Sequence, residues 1–282
     1  MNIEQYAIYA LYTLIYVGCA FILKLALSKI SAVNYTADTE VKSGNMAVGF
    51  RRSGAQFGLA IAMMGVLAGQ SESSLGQDIL KSVEYGLLAV VFIVSALMTA
   101  DKWVLPGIHN LSELQKANTS VGLVEMGMLV ATGIMAYASI VGDAGGFVSS
   151  IAYFVVGQLT LVVLVLVYEK VMMRSHDIVV SIGKGNVSSG IYLGGKLIAY
   201  SLILKSAITG NGVNTLNEMI LEYLVLAATG MILLYIFEIL IDRVVVTAST
   251  VKEALELDQP VVILQIAAAK VGVALILSNA VL

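Results

Sequence analysis

Residues 44–69 read GNMAVGFRRSGAQFGLAIAMMGVLAG, and residues 185–210 read GNVSSGIYLGGKLIAYSLILKSAITG. Both open on Gly-Asn, carry a glycine four and nine residues after the asparagine, and run to a closing glycine through apolar sequence. Asn45 and Asn186 are 141 residues apart, as are Asn118 and Gln259, in a chain of 282 residues. The same offset pairs Gly69 with Gly210, Asp101 with Asp242, and Lys102 with Arg243. Self-similarity at a fixed period marks a repeat architecture. The chain therefore reads as two register-matched membrane halves, 1–141 and 142–282.

Each half divides again when positions are counted from the amide residue. Four positions on stand Gly49, Gly122, Gly190 and Ile263; nine on stand Gly54, Gly127, Gly195 and Ala268. Thirteen on stand Gly58, Ala131, Ala199 and Gly272. Seventeen positions before the amide stand Ser28, Asp101, Glu169 and Asp242, each followed by a base: Lys29, Lys102, Lys170 and Arg243. The spacing from base to amide is 16 residues in all four copies. Length varies only in the connections that follow the even segments.

The composition says where such a chain folds. It is 59% hydrophobic and 12% charged, with a mean hydropathy of +0.90, where soluble domains carry about 25% charge. Eight segments are long enough to cross a bilayer: 8–27, 46–67, 80–100, 121–141, 147–168, 187–208, 219–241 and 261–282. A backbone in hydrocarbon must satisfy its own polar groups, so the choice is helices or a closed barrel. Barrel strands alternate over roughly 10 residues, whereas these segments are twice that long and apolar on all sides. The expectation is an all-α membrane protein of eight transmembrane helices in four tandem two-helix repeats.

A two-helix unit returns the chain to its starting side, so all four units share one orientation and form a parallel pseudo-symmetric bundle about an axis along the membrane normal. The connections after segments 2, 4 and 6 hold no Lys or Arg, whereas those after 1, 3, 5 and 7 hold Lys29, Lys42, Lys102, Lys116, Lys170, Arg174, Lys184, Arg243 and Lys252. Positive residues favour the cytoplasmic side, so both termini are expected outside, with Lys81 a minor exception. The start MNIEQY has no basic region and no small-residue cleavage motif, so the first segment reads as a retained helix. Cys19 is alone, which excludes an intrachain disulfide or a thiolate metal cluster. A net charge of −3 gives no case for nucleic acid.

The pattern G-N-x-A-x-G-x-x-x-x-G at 44–54, with weaker echoes from Ala117 and Gly185, resembles the bacterial domain-of-unknown-function 350 (YjfL-like) family. The resemblance covers essentially the whole chain as four two-helix units, with the fourth departing most, at Gln259-Pro260 and Ile263. It implies a small inner-membrane protein of tandem two-helix units, and a gene neighbourhood that points to envelope stress.

The residues that could carry function fall into four groups. Asn45, Asn118, Asn186 and Gln259 open even helices, either as N-caps or as an amide ring lining a pore at helix N-termini. Gly54 with Gly58, and its counterparts at the same spacing, let helix backbones approach; the readings are packing within the chain or a homo-oligomer interface. Asp101, Glu169 and Asp242, each followed by a base, sit where helices leave the hydrocarbon, as anchors or as an acidic vestibule that Glu238 extends.

The last group is buried charge. Lys196 and Lys270 lie about 15 Å into their helices and Arg51, Arg52 and Glu125 about 10 Å, at 1.5 Å per residue; Glu84 and Glu222 enter from the outer side. A lone charge at mid-bilayer costs at least about 2.5–3.5 kcal/mol, so such groups pair or face water and mark function by default. None of them recurs at the 141-residue offset, which leaves an asymmetric ion or proton route and structural ion pairs both open.

Enzyme motifs are absent, His109 and His176 stand alone in linkers, and no cofactor or metal is implied. Two functions follow. One is ion or proton transport, with Lys196, Lys270, Glu125 and Glu222 on an internal route for a small ion. The other is a non-conducting envelope-stress scaffold whose linkers, such as 247–258 as an amphipathic helix, recruit a cytoplasmic stress-response protein.

Overall fold

A computed structural model describes residues 3–68, 74–141, 146–172, 177–209, 216–244 and 249–280. The helices are α1 (Ile3–Ser31), α2 (Ala37–Lys42), α3 (Met46–Ala68), α4 (Leu75–Thr99), α5 (Asn110–Gln115), α6 (Thr119–Val141), α7 (Phe147–Met172), α8 (Ile178–Gly183), α9 (Val187–Ile208), α10 (Leu216–Val244), α11 (Val251–Glu256) and α12 (Pro260–Ala280). A π-helical turn, Ala100–Val104, extends α4. Among the described residues seven helices are long and apolar enough to cross a membrane. The segment 46–67 forms α3, as long as α6 at 23 residues. It falls outside the seven because Arg51, Arg52 and Gln56 lower its hydropathy. The closing glycines Gly69, Gly142 and Gly210 lie outside the described residues, as does His176.

Each linker holds a six-residue helix before its amide, and the amphipathic helix expected within 247–258 is α11, Val251–Glu256. The six-residue helices α2, α5, α8 and α11 all end in the same way. The residue before the amide is left-handed, with φ of 87° at Gly44, 59° at Ala117, 86° at Gly185 and 46° at Asp258. The amide residue's own N–H then bonds five residues back: Asn45 to Glu40, Asn118 to Glu113, Asn186 to Ser181 and Gln259 to Ala254, at 2.9–3.0 Å. The preceding N–H bonds three residues back, for example Gly44 to the Val41 carbonyl at 3.1 Å. This is the Schellman closure, and the amide residue that completes it also starts the next long helix. The joint recurs at Ala117 although a non-glycine residue there costs about 1–2 kcal/mol, so the geometry of the joint outweighs the local preference.

The even helices α3, α6, α9 and α12 stand side by side in chain order. Outside them, α4 lies on α3 and α6, α7 on α6 and α9, α10 on α9 and α12, and α1 on α3 and α4. Buried residues make up 72% and 78% of the apolar stretches of α6 and α9 but 17% and 28% of those of α1 and α10, which sets the core at α6 and α9.

The contacts along this row are directional. A Cβ on Gly54 would lie 2.6 Å from the Met126 Cα, one on Gly127 would lie 2.6 Å from the Gly194 carbonyl oxygen, and one on Gly195 would lie 2.9 Å from the Ala267 Cβ. In each case position +9 of one unit faces +8 of the next. In return, a Cβ on Gly122 would lie 2.6 Å from the Ala47 Cα, and one on Gly190 2.6 Å from the Ser120 carbonyl oxygen. Here +4 of one unit faces +2 of the unit before. The front of each unit thus meets the back of the next, a heterologous contact. The repeat by itself suggests a bundle closed about one axis. The structure corrects this to an open row, because the main neighbours of α3 are α6, α4 and α1, and those of α12 are α9 and α10.

Candidate functional site: a buried charge cluster between α7, α9, α10 and α12

Glu238 and Asp242 are four residues apart on α10 and so share one face. That face meets Lys196 of α9 and Lys270 of α12. The Lys196 Nζ lies 2.5 Å from Glu238 Oε2, and the Lys270 Nζ lies 4.0 Å from the same oxygen and 3.2 Å from Asp242 Oδ2. The four charges form one chain, Lys196–Glu238–Lys270–Asp242. Lys196 and Lys270 are each 4% exposed, whereas the Asp242 side chain is 33% exposed, so the chain runs from the protein interior to an open end.

Tyrosines wall the inner end. The Lys196 Nζ lies 4.1 Å from the Tyr168 ring centroid, 5.3 Å from that of Tyr200 and 5.8 Å from that of Tyr192. Such cation–π contacts contribute about 0.5–1 kcal/mol at exposed sites and about 2 kcal/mol when desolvated. Tyr168 Oη and Tyr192 Oη share a hydrogen bond of 2.5 Å. Glu238 Oε1 and Asp242 Oδ1 are buried and accept no hydrogen bond among the described residues. Each carboxylate therefore keeps one oxygen with free lone pairs, where a proton or small cation can be held.

The structure divides the other sequence-selected charges. Arg51 of α3 and Glu125 of α6 form a separate pair, Nη1 to Oε2 at 3.3 Å, with side chains 3% and 2% exposed. Arg52 turns outward to Asp38 of α2 and donates to Ser28 Oγ at 3.0 Å. Lys24 also reaches Asp38, at 3.3 Å. The hydrogen bonds from Arg52 and then Lys24 hold the Asp38 carboxyl below its ordinary range. Glu84 on α4 is exposed and Glu222 on α10 is half-buried, and neither joins either group. Of the residues expected on one route, Lys196, Lys270, Glu125 and Glu222, the structure brings Glu125 onto Arg51 and leaves Glu222 apart. The lysines meet Glu238 and Asp242, because α10 packs against both α9 and α12. Asp101 sits exposed in the π-helical turn and accepts the Asn110 N–H at 3.3 Å. Glu169 falls in α7, but its side chain lies outside the described residues.

Three of the four amides do two jobs. Asn45 Oδ1 accepts the Val48 N–H at 3.2 Å, Asn118 Oδ1 that of Ser120 at 3.1 Å, and Asn186 Oδ1 that of Ser189 at 2.7 Å, which are N-caps. Their Nδ2 atoms donate to the next unit's short helix: Asn45 to Leu114 O at 2.8 Å, Asn118 to Ile182 O at 3.1 Å, and Asn186 to Leu255 O at 2.9 Å. The acceptor is always four residues before the next amide. The amides thus tie units into a row; they do not ring an axis, because each side chain points along the row. The Gln259 side chain makes no hydrogen bond among the described residues. Sequence reading missed the tyrosine wall and the central place of Glu238. The i, i+4 spacing of Tyr192, Lys196 and Tyr200 was the available signal.

Long apolar helices, buried charge confined to helix interfaces and a two-helix repeat define a multi-pass integral membrane protein. The chain belongs to the family described as Domain of Unknown Function (DUF350), whose model matches residues 1–140 and again 143–281. No curated protein and no solved structure matches it.

Proposed function

We propose that the protein transports protons or a small cation across a bacterial inner membrane, through a route whose centre is the chain Lys196–Glu238–Lys270–Asp242. In this reading α3 crosses the membrane with the other seven helices. The Lys- and Arg-bearing linkers face the cytoplasm, both termini face outside, and no catalytic chemistry is involved. The observation that carries it is the graded burial of alternating bases and acids. Lys196 and Glu238 are sealed, Asp242 is one-third open, and each carboxylate has a free oxygen. Burying four charges is costly, and such groups in membrane spans mark ion or proton paths.

Proteoliposomes test this with a pH-sensitive dye inside under an imposed proton gradient and, separately, a cation-sensitive dye inside under an imposed cation gradient. Purified protein should raise one flux well above empty vesicles. Glu238→Gln should cut it at least tenfold, while the double variant Arg51→Leu/Glu125→Leu leaves it unchanged. Wild-type flux equal to that of empty vesicles in both gradients would sink the proposal.

A second reading, the non-conducting envelope-stress scaffold, draws support from apolar side chains on the linkers. Val33 is 87% exposed, Val180 49% and Leu257 62%. Co-purification of a cytoplasmic stress-response protein, lost on Val180→Ser/Leu257→Ser, would favour it.

A further inference from the structure

The row of even helices has two faces that no described residue covers, and they are complementary by register. The back of the first unit is the first. A Cβ on Gly49, at the +4 position that elsewhere meets the preceding unit, would have nothing within 4 Å. Beside it a cavity of about 420 Å³ opens between α1 and α3, lined by Tyr16, Lys24, Arg52, Ser53 and Gln56 among others. One unit later the matching positions are Ala89, Leu97, Glu125, Met126 and Leu129. Of these Ala89, Glu125 and Leu129 are at most 1% exposed and Leu97 is 7%, because α3, together with its neighbours, occupies the space. The cavity is the place where a preceding even helix would stand.

The front of the fourth unit is the second open face. Val261 is 79% exposed and Ile276 69%, Gln265 and Ala268 are exposed, and a Cβ on Gly272 would have nothing within 4 Å. These are the positions by which α3 grips α6, since Gly58 at the register of Gly272 is closed against Leu129. Gln265 and Ser53 are also polar groups on these open helix faces, and in lipid an unsatisfied polar group costs several kcal/mol.

We infer that the protein self-associates head to tail, with α12 of one copy seated in the α1–α3 groove of the next, continuing between chains the contact already made three times within one. The internal register supplies the pairing. Position +6 meets +7 at Arg51–Glu125, which sets Gln265 opposite Arg52 of the next copy. Position +9 meets +8 three times, which sets Ala268 opposite Ser53. The free amide of Gln259 stands where Asn45, Asn118 and Asn186 reach the next unit, and faces the Val41 carbonyl. A heterologous contact between copies yields a ring where the rotation closes and a filament where it does not.

The test mixes two full-length variants in one membrane, each in a Cys19→Ala background: Ser53→Cys on one and Ala268→Cys on the other, under mild oxidation. A crosslinked dimer in the mixture, with neither variant crosslinking alone, is the expected result. Gly49→Leu and Gly272→Leu point into open space in a single copy, so they leave folding intact and should each reduce the crosslink at least fivefold. No crosslink in the mixture, equal crosslinking by either variant alone, or an undiminished crosslink with both leucines present would overturn the inference.

Discussion

The α3–α6 junction in the first half and the α9–α10–α12 junction in the second are built on the same scaffold and bury charge differently. In the first, Arg51 and Glu125 close on each other one to one at 3.3 Å, and both side chains are sealed. In the second, two lysines share Glu238, tyrosines wall the inner end, and Asp242 opens the other. The register shows how little changed. Tyr192 stands where the first half has Arg51, and Ile266 stands where it has Glu125. Moving the bases four positions deeper, as in Lys196 relative to Arg51's register, brings them opposite α10 and its two acids. A closed pair serves to lock helices; a graded chain with spare oxygens can pass charge. On the proposed function, duplication supplied the frame and the second half carries the activity.

Removing one charge from each junction tests this contrast most severely. Arg51→Leu leaves Glu125 buried alone and should destabilise by about 3–5 kcal/mol, whereas the double variant Arg51→Leu/Glu125→Leu should return to near wild type or above it. Glu238→Leu should cost a similar amount, and no single second substitution restores it, since two lysines lose their partner. Thermal unfolding in detergent checks both; recovery of Glu238→Leu by Lys196→Leu alone would show the cluster to be a simple pair.

Smaller in effect is the contrast between filled and open glycine contacts. Gly127→Ala would place a Cβ 2.6 Å from the Gly194 carbonyl oxygen, and overpacking of this kind costs about 1–3 kcal/mol. Gly49→Ala meets open space and should change the midpoint little. The amides come next: Asn186→Ala loses an N-cap, about 1 kcal/mol, and its bond to Leu255, whereas Gln259→Ala removes no bond among the described residues of its own chain. Chemical denaturation of the four variants side by side reads these differences.

The smallest effect is one of pH at the linkers. Asp38 is held below its ordinary range by Arg52 and Lys24, and Glu113 below its own by Lys116 and then Asn118. A carboxyl with a lowered folded value stabilises fully above its unfolded value, about 3.9 for Asp and 4.3 for Glu, and that stability is lost as pH falls through the lowered value. Unfolding midpoints should therefore drop below about pH 4, and Asp38→Asn with Glu113→Gln should flatten that part of the profile.

The frame of the molecule is legible in its residues alone. The long apolar helices, four amides, and the small residues at +9 and +13 follow from chain-local rules: hydropathy over a span, backbone satisfaction in lipid, and a period that can be counted. The capping by Asn45, Asn118 and Asn186 was legible for the same reason, since a cap reaches only three residues ahead. The reach of their Nδ2 atoms to Leu114, Ile182 and Leu255 was not, because those carbonyls arrive from another unit. Nor was the choice of partner for the buried bases. Lys196 could be seen to need an acid, but Glu125, Glu222 and Glu238 all satisfied that need in sequence. Only the packing of α10 against α9 and α12 brought Glu238 within 2.5 Å. Tertiary packing also decided whether the row closes, because a repeat period specifies that units match and says nothing of the angle between them. That angle is set by which glycine faces which backbone, a property of surfaces in contact.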